Sequence, residues 1–284
     1  MSITRTITPI MLLITITLPG HAALSEYTSF TASDSAFLAG SAVDRFVWKT
    51  GFESPYVVLL PQSRQVKGLL VLLHGAGDNP TNFSKIVGRL NLPSIQHVLP
   101  RAPFPMTVRI PDPATGHSGA FAGYAWLDEA DGVWTDYGAA FSAFLLGRII
   151  EQVLPSLGGE SPALVLLGFR QAAGIAALWA AANPGRVRGL ILVSGYADPP
   201  VREALRASGL DLRDVPCLVL VGTQAADALD SGDLGVRVRE LGAAVESRHL
   251  ARGADFGGED YPIVREFVER CAGIAPAPGQ GLSP

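Results

Sequence analysis

Apolar residues in this chain gather in short unbroken runs, with longer mixed stretches between them. Gly68–Leu73 (GLLVLL), Ala163–Leu167 (ALVLL), Gly189–Val193 (GLILV) and Cys217–Val221 (CLVLV) are each five or six residues long. Such runs are too short for helices and apolar on both faces, as strands are when a parallel sheet is covered on two sides. Gln96–Leu99, ahead of Pro100, and Val245–Leu250 add two further strands. Helical stretches fit between them: Asn82–Leu90 after the start signals Pro80 and Thr81, residues 134–154 ending near Pro155, Gln171–Ala182 closed by Asn183-Pro184, and Tyr261–Cys271. Asp44–Lys49 and Pro55–Leu60, on either side of Gly51, read as an antiparallel pair at a sheet edge. This alternation predicts an α/β domain with a mostly parallel, doubly wound sheet and helices on both faces.

The two ends break the pattern. Arg5 precedes the apolar run Ile10–Leu18 (IMLLITITL), which is short for a bilayer span, and Pro19, Gly20, Ala22 and Ala23 follow it. That order predicts a signal peptide over residues 1–23 and export to a periplasmic or secreted location, with no transmembrane domain left after cleavage. An uncleaved anchor is the alternative reading. Residues 24–42 are rich in Ser, Thr and Ala without a clear period. The folded domain is expected over 24–272, and 273–284 reads as a flexible tail.

Composition narrows the function classes. A hydrophobic fraction of 48% with 17% charged residues is ample for a large core. The formal net charge of −4 gives no electrostatic reason to expect nucleic acid or an anionic membrane as partner. Cys217 and Cys271 can pair in an oxidising compartment or stay as two separately buried thiols. The histidines and cysteines show no metal-ligand spacing and there is no dinucleotide fingerprint, so neither a metal nor a cofactor is expected.

Ligands of open α/β sheets collect at the carboxyl ends of the strands. Directly after the first buried strand comes Leu73-His74-Gly75-Ala76-Gly77-Asp78-Asn79, whose glycines let backbone N–H groups approach a ligand. After ALVLL comes Gly168-Phe169-Arg170-Gln171-Ala172, between a strand and an Ala-rich helix. This is the setting of a nucleophile elbow, G-x-S-x-G, but its centre is Arg170, which cannot attack an acyl carbon.

These segments resemble the phospholipase/carboxylesterase family, which includes acyl-protein thioesterases, over about Lys67 to Arg270. LLHGAGDN resembles the family's L-H-G-x-G-D. Pro103, Pro105-Met106-Thr107 and Trp126-Leu127-Asp128 resemble its P-x-x-P-V-T and A-W-[FY]-D elements. GFRQAAG resembles G-F-S-Q-G-G, and Leu192–Tyr196 (LVSGY) resembles its L-S-G-Y strand end. The resemblance implies the α/β-hydrolase fold and carboxylic or thio-esters of moderate acyl length as substrates.

Residue by residue, the resemblance also implies a degenerate site. The nucleophile falls on Arg170, the acid on Ala225 in Val221-Gly222-Thr223-Gln224-Ala225, and the histidine on Asp255 in the segment that begins at His249. Asp227 and Asp230 are candidates for a displaced acid. His117 and Ser118 lie in an insertion over 108–122 that is a candidate lid, and Ser194 matches a strand end. The oxyanion-hole positions fall on the backbone of Ala76 and Gln171, with His74, Gly75, Gly77 and Trp126 around the pocket.

In the family the nucleophile and histidine touch, so Arg170 and Asp255 are expected to form an ion pair plugging the old site. The same arginine, with a helix N-terminus and the two N–H groups, alternatively makes an anion site. The expected protein is an exported, catalytically inactive member binding a small acyl or anionic ligand or a protein. An active esterase with displaced apparatus and an interaction protein with a filled pocket are the alternatives.

Overall fold

The computed structural model describes residues 26–27, 43–49 and 56–275, apart from 62, 64, 112–117, 131–132, 158–161 and 226–227. The expected signal segment, most of the expected tail, His117 and Asp227 lie outside the described residues.

In chain order the strands are β1 (Glu26–Tyr27), β2 (Val43–Lys49), β3 (Tyr56–Pro61), β4 (Gly68–Leu73), β5 (Ile95–Pro100), β6 (Phe104–Pro111), β7 (Ser118–Ala125), β8 (Glu129–Ala130), β9 (Val133–Trp134), β10 (Ala163–Phe169), β11 (Gly189–Val193), β12 (Pro216–Gly222) and β13 (Ala244–Leu250). The helices are α1 (Pro80–Phe83), α2 (Lys85–Leu90), α3 (Asp136–Val153), α4 (Ala172–Ala182), α5 (Pro199–Ala204), α6 (Ala228–Glu240) and α7 (Asp260–Cys271).

One nine-stranded sheet runs β1-β2-β3-β5-β4-β10-β11-β12-β13. Each neighbouring pair from β5 to β13 is parallel, whereas β1, β2 and β3 form the antiparallel edge that the polar surroundings of Gly51 suggested. The central runs read as two-sided strands because they are: every residue of β4, and Ala163–Gly168 of β10, is buried. One core lies against α3, α4 and α6, and the other against α1, α2 and α7. This is the α/β-hydrolase architecture expected from the sequence.

Local chemistry explains two departures. The helix expected over Asn82–Leu90 is two short ones, α1 and α2, joined at Ser84. Ser84 donates its hydroxyl to the Thr81 carbonyl at 2.7 Å, a side-chain bond that competes with helix continuation. Residues 108–111 and 118–122 of the expected insertion belong to an antiparallel hairpin, β6 against β7, with Phe104 opposite Ala125 and Pro111 opposite Ser118. The two cysteines are free: Cys217 packs with the α3–α4 core and Cys271 against the α7 core, on opposite faces of the sheet.

Candidate functional site

The sharpest feature of the fold lies where β10 turns into α4. Arg170 has φ +54°, the left-handed conformation that a side-chain-bearing residue adopts only at a cost of about 1 kcal/mol or more. Its N–H donates to the Val193 carbonyl at 3.0 Å, and its own carbonyl accepts from the Ala173 N–H at 3.0 Å. The turn is tight because Gly168 has no side chain: a Cβ there would lie 2.5 Å from the Ala173 Cα. Ala172, in place of a second glycine, is fully buried, as are its neighbours along α4. The backbone therefore makes the sharp strand-to-helix elbow expected from the sequence, with the Arg170 guanidinium at its centre.

The glycine loop after β4 meets this elbow. A Cβ placed on Gly75 would lie 3.2 Å from the Phe169 ring and 3.7 Å from the Arg170 Cβ. His74 organises the loop from behind. Its Nε2 accepts the Ala102 N–H at 3.1 Å, so the ring proton sits on Nδ1 and donates to the Gly75 carbonyl at 2.8 Å. Burial lowers the His74 pKa to about 4, against the opposing pull of that hydrogen bond and of Asp78. The ring is thus neutral near pH 7. In a trans peptide the N–H points opposite the C=O, so drawing the Gly75 carbonyl toward His74 turns the Ala76 N–H away from it.

Two backbone donors stay available as a result. Among the described residues, neither the Ala76 N–H nor the Gln171 N–H enters a hydrogen bond. Ala76 is exposed and Arg170 half-buried, so the elbow is not packed shut. His74 and Trp126 lie behind this surface, at 0% and 1% exposure. Trp126 acts as a strut: its indole N–H donates to the His74 carbonyl at 2.7 Å, and its backbone N–H donates to the Gln171 Oε1 at 2.9 Å. Gly77, at φ +85°, donates its N–H to the Tyr124 carbonyl at 2.9 Å, and Tyr124 returns a bond to Asp78 at 3.1 Å. A Cβ on Gly123 would come within 2.3 Å of the Gly77 oxygen, so the base of the β6–β7 hairpin is clamped to the loop.

The acid and histidine positions look different. Ala225 lies in the turn after β12, its N–H donating to the Gly222 carbonyl at 3.0 Å, and its methyl group can orient no base. Asp255 is exposed in the segment between β13 and α7. Among the described residues the expected Arg170–Asp255 ion pair is absent. Among the described residues, an ion pair in this region joins Arg252 to Asp260 at 2.7 Å, with the arginine side chain 14% exposed and the aspartate fully buried. Arg252 also donates to the Ser194 hydroxyl at 3.1 Å and to the Gly253 carbonyl at 2.8 Å. Ser194 is thereby committed as an acceptor at the end of β11, and the segment after β13 is pinned by a buried charge pair.

Asp198 is a functional candidate that sequence reasoning missed. The run Asp198-Pro199-Pro200 opens α5, and Asp198 makes no side-chain cap to that helix. Its carboxylate turns to the elbow and accepts from the Gln171 amide at 3.3 Å. Burial raises its pKa, helped by the negative charge of Asp230, while Gln171 and Arg202 oppose the shift. Asp230 itself is exposed in the first turn of α6. Gln171 therefore contributes its N–H to one side of the site and its amide to the struts on the other.

Comparison with known proteins agrees with this geometry. The phospholipase/carboxylesterase family model matches residues 55–225. Among solved structures, a carboxylesterase from Mesorhizobium loti superposes with a TM-score of 0.60 at 20% identity, covering 81% of this chain and 98% of that one. A Bacillus cereus carboxylesterase gives 0.59 at 15%, covering 77% and 94%. Zea mays acyl-protein thioesterase 2 gives 0.54 at 18%, covering 76% and 98%. No curated protein matches the sequence. The family match spans well over half of the chain and takes in the glycine loop, the elbow and the β12 end: the chain belongs to the phospholipase/carboxylesterase family.

Proposed function

We propose that this protein is an exported α/β-hydrolase-fold protein that does not hydrolyse esters and instead binds a small carboxylate- or phosphate-bearing acyl ligand at the elbow. The observation that carries the reading is Arg170 at φ +54°, on an intact elbow beside two N–H groups without acceptors among the described residues. Ester hydrolysis needs a nucleophile and a base that converge with oxyanion donors. Arg170, Ala225 and Asp255 supply neither nucleophile, orienting acid nor imidazole at the family's positions. The donors that remain favour negative charge, and the N-terminus of α4 adds to them. Export rests on the charge, apolar run and small residues at the start of the chain.

The exposure of Ala76 supports an open site over a filled one. Binding is tested by thermal shift and calorimetry of the purified protein with acetate, butyrate, octanoate and glycerol phosphate, beside Arg170→Ala. The expected result is saturable binding of at least one anion, weakened roughly tenfold or more by the substitution, as loss of a charge-assisted pair implies. Equal behaviour of the two proteins toward every anion would overturn the reading.

A further inference from the structure

Asp198 sits at the start of a helix without serving as its cap. It opens α5, but the next two residues are Pro199 and Pro200, whose nitrogens carry no hydrogen. A capping side chain bonds the N–H of the second or third helical residue, so Pro200 removes one of the two donors within reach. No side-chain bond forms to the other, and the turn is closed instead by the Asp198 carbonyl, which accepts from the Arg202 N–H at 2.8 Å. The carboxylate is left for a partner outside α5.

That partner is Gln171, at the head of α4. The segment after β11 is drawn against the elbow. The Tyr196 N–H donates to the Arg170 carbonyl at 3.4 Å, and a Cβ on Gly174 would lie 3.0 Å from the Tyr196 carbonyl oxygen and 2.9 Å from the Val201 Cγ1. Across this close approach Asp198 accepts from the Gln171 amide at 3.3 Å. The opposite end of that amide, Oε1, accepts the Trp126 backbone N–H at 2.9 Å. The two ends are not interchangeable: a peptide N–H only donates and an ionised carboxylate only accepts, so together they decide which way the amide points. Trp126 is fixed in turn, at its carbonyl by the Ser142 hydroxyl and at its indole N–H by the His74 carbonyl.

We propose that Asp198 is a positioning residue for the anion site: by accepting from the Gln171 amide it holds the residue whose backbone N–H is one of the two donors offered to the ligand. The inference deepens the reading of the elbow as an anion site and rests on that reading for its ligand. Asp198 acts through its hydrogen bond and against its own charge, since a carboxylate near a bound anion repels it. The hydrogen bond is the larger effect. The charge is partly offset by Arg202, whereas loss of the bond deprives a 2%-exposed amide of its acceptor.

Calorimetry of the purified protein with octanoate and with glycerol phosphate tests this on Asp198→Ala and Asp198→Asn, with far-UV circular dichroism checking that each variant folds. Asp198→Ala removes the acceptor and is expected to weaken binding about threefold to tenfold, the share of one hydrogen bond. Asp198→Asn keeps an acceptor oxygen without the charge and is expected to recover most of that loss. A repulsive charge alone gives the reverse, tighter binding by both variants. With Gln171→Met in place, where no amide remains to be held, Asp198→Ala is expected to change binding no further. A second readout needs no ligand: the backbone amide NMR signal of Gln171 is expected to shift in Asp198→Ala and to return toward its wild-type position in Asp198→Asn. Wild-type protein that binds neither anion while this signal moves overturns the anion reading and supports the positioning role. A folded Asp198→Ala protein that binds as tightly as a binding-competent wild type or tighter, or that leaves the Gln171 signal in place, overturns the proposal.

Discussion

Two regions at the carboxyl ends of the strands hold their shape in different ways. The elbow is held by its backbone, with Gly168 packed against α4 and a left-handed central residue that carries the Arg170 guanidinium. The segment between β13 and α7 is held by side chains instead: Arg252 reaches across to Ser194 and Asp260, and Asp255 faces solvent. The difference separates two ways of fixing a loop at the end of a strand. The elbow is a packing solution that joins β10 to α4. The segment after β13 takes its anchor from the interior, and a buried ion pair supplies it.

Breaking that anchor is expected to have the largest effect. Asp260→Ala leaves the Arg252 charge uncompensated and removes the acceptor for the Gly257 N–H; a loss of about 3 kcal/mol follows, read by urea unfolding. Gly168→Val tests the elbow as packing, since the added carbons meet Ala173 backbone; the expected cost is about 2–3 kcal/mol. Arg170→Gly should change stability by no more than about 1 kcal/mol, because relief of the left-handed backbone offsets lost side-chain contacts. If Arg170→Gly costs as much as Asp260→Ala, the contrast between the two regions fails.

Acid sharpens the contrast from a third direction. His74 and His97 are buried, with pKa values lowered by burial to about 4 and about 3. Both are neutral in folded and unfolded chains above pH 6.5, so they leave stability unchanged there. Below pH 6.5 the unfolded chain takes up protons that the folded one refuses, and stability falls by about 1.4 kcal/mol per pH unit for each histidine. The loss ends near pH 4 for His74 and near pH 3 for His97. His97 has no hydrogen-bond partner at either ring nitrogen among the described residues, so His97→Phe should lower the slope between pH 6 and about 4.5 by about 1.4 kcal/mol per pH unit without weakening the protein at pH 8. His74→Phe should remove the same share of the slope but cost stability at every pH, because it also loses the bonds to Ala102 and Gly75.

Much of the sheet was legible because strands buried on both faces read as unbroken apolar runs, and GLLVLL, ALVLL, GLILV and CLVLV all became central strands. The elbow was legible for a related reason: a strand, a glycine and an Ala-rich helix leave few ways to turn. The β6–β7 hairpin was not, since its prolines and glycines break the alternation that marks a paired strand. Asp198 was hidden by its neighbours, because Asp-Pro-Pro reads as a helix start and its turn toward Gln171 depends on tertiary approach. The pairing of Arg170 with Asp255 followed from aligned positions alone. It failed because position does not set the path of a nine-residue loop between β13 and α7, which Arg252 and Asp260 determine.

Whether the elbow catalyses is decided by one assay: hydrolysis of p-nitrophenyl acetate and butyrate by the purified protein, with a serine-reactive fluorophosphonate added in parallel. Arg170→Ser serves as the companion variant, which restores a hydroxyl to the elbow but neither the base nor the acid. No turnover above buffer and no labelling are expected for the wild type. Turnover with stoichiometric labelling of a serine in the wild type would contradict that expectation, and the labelled residue would show where the displaced site lies.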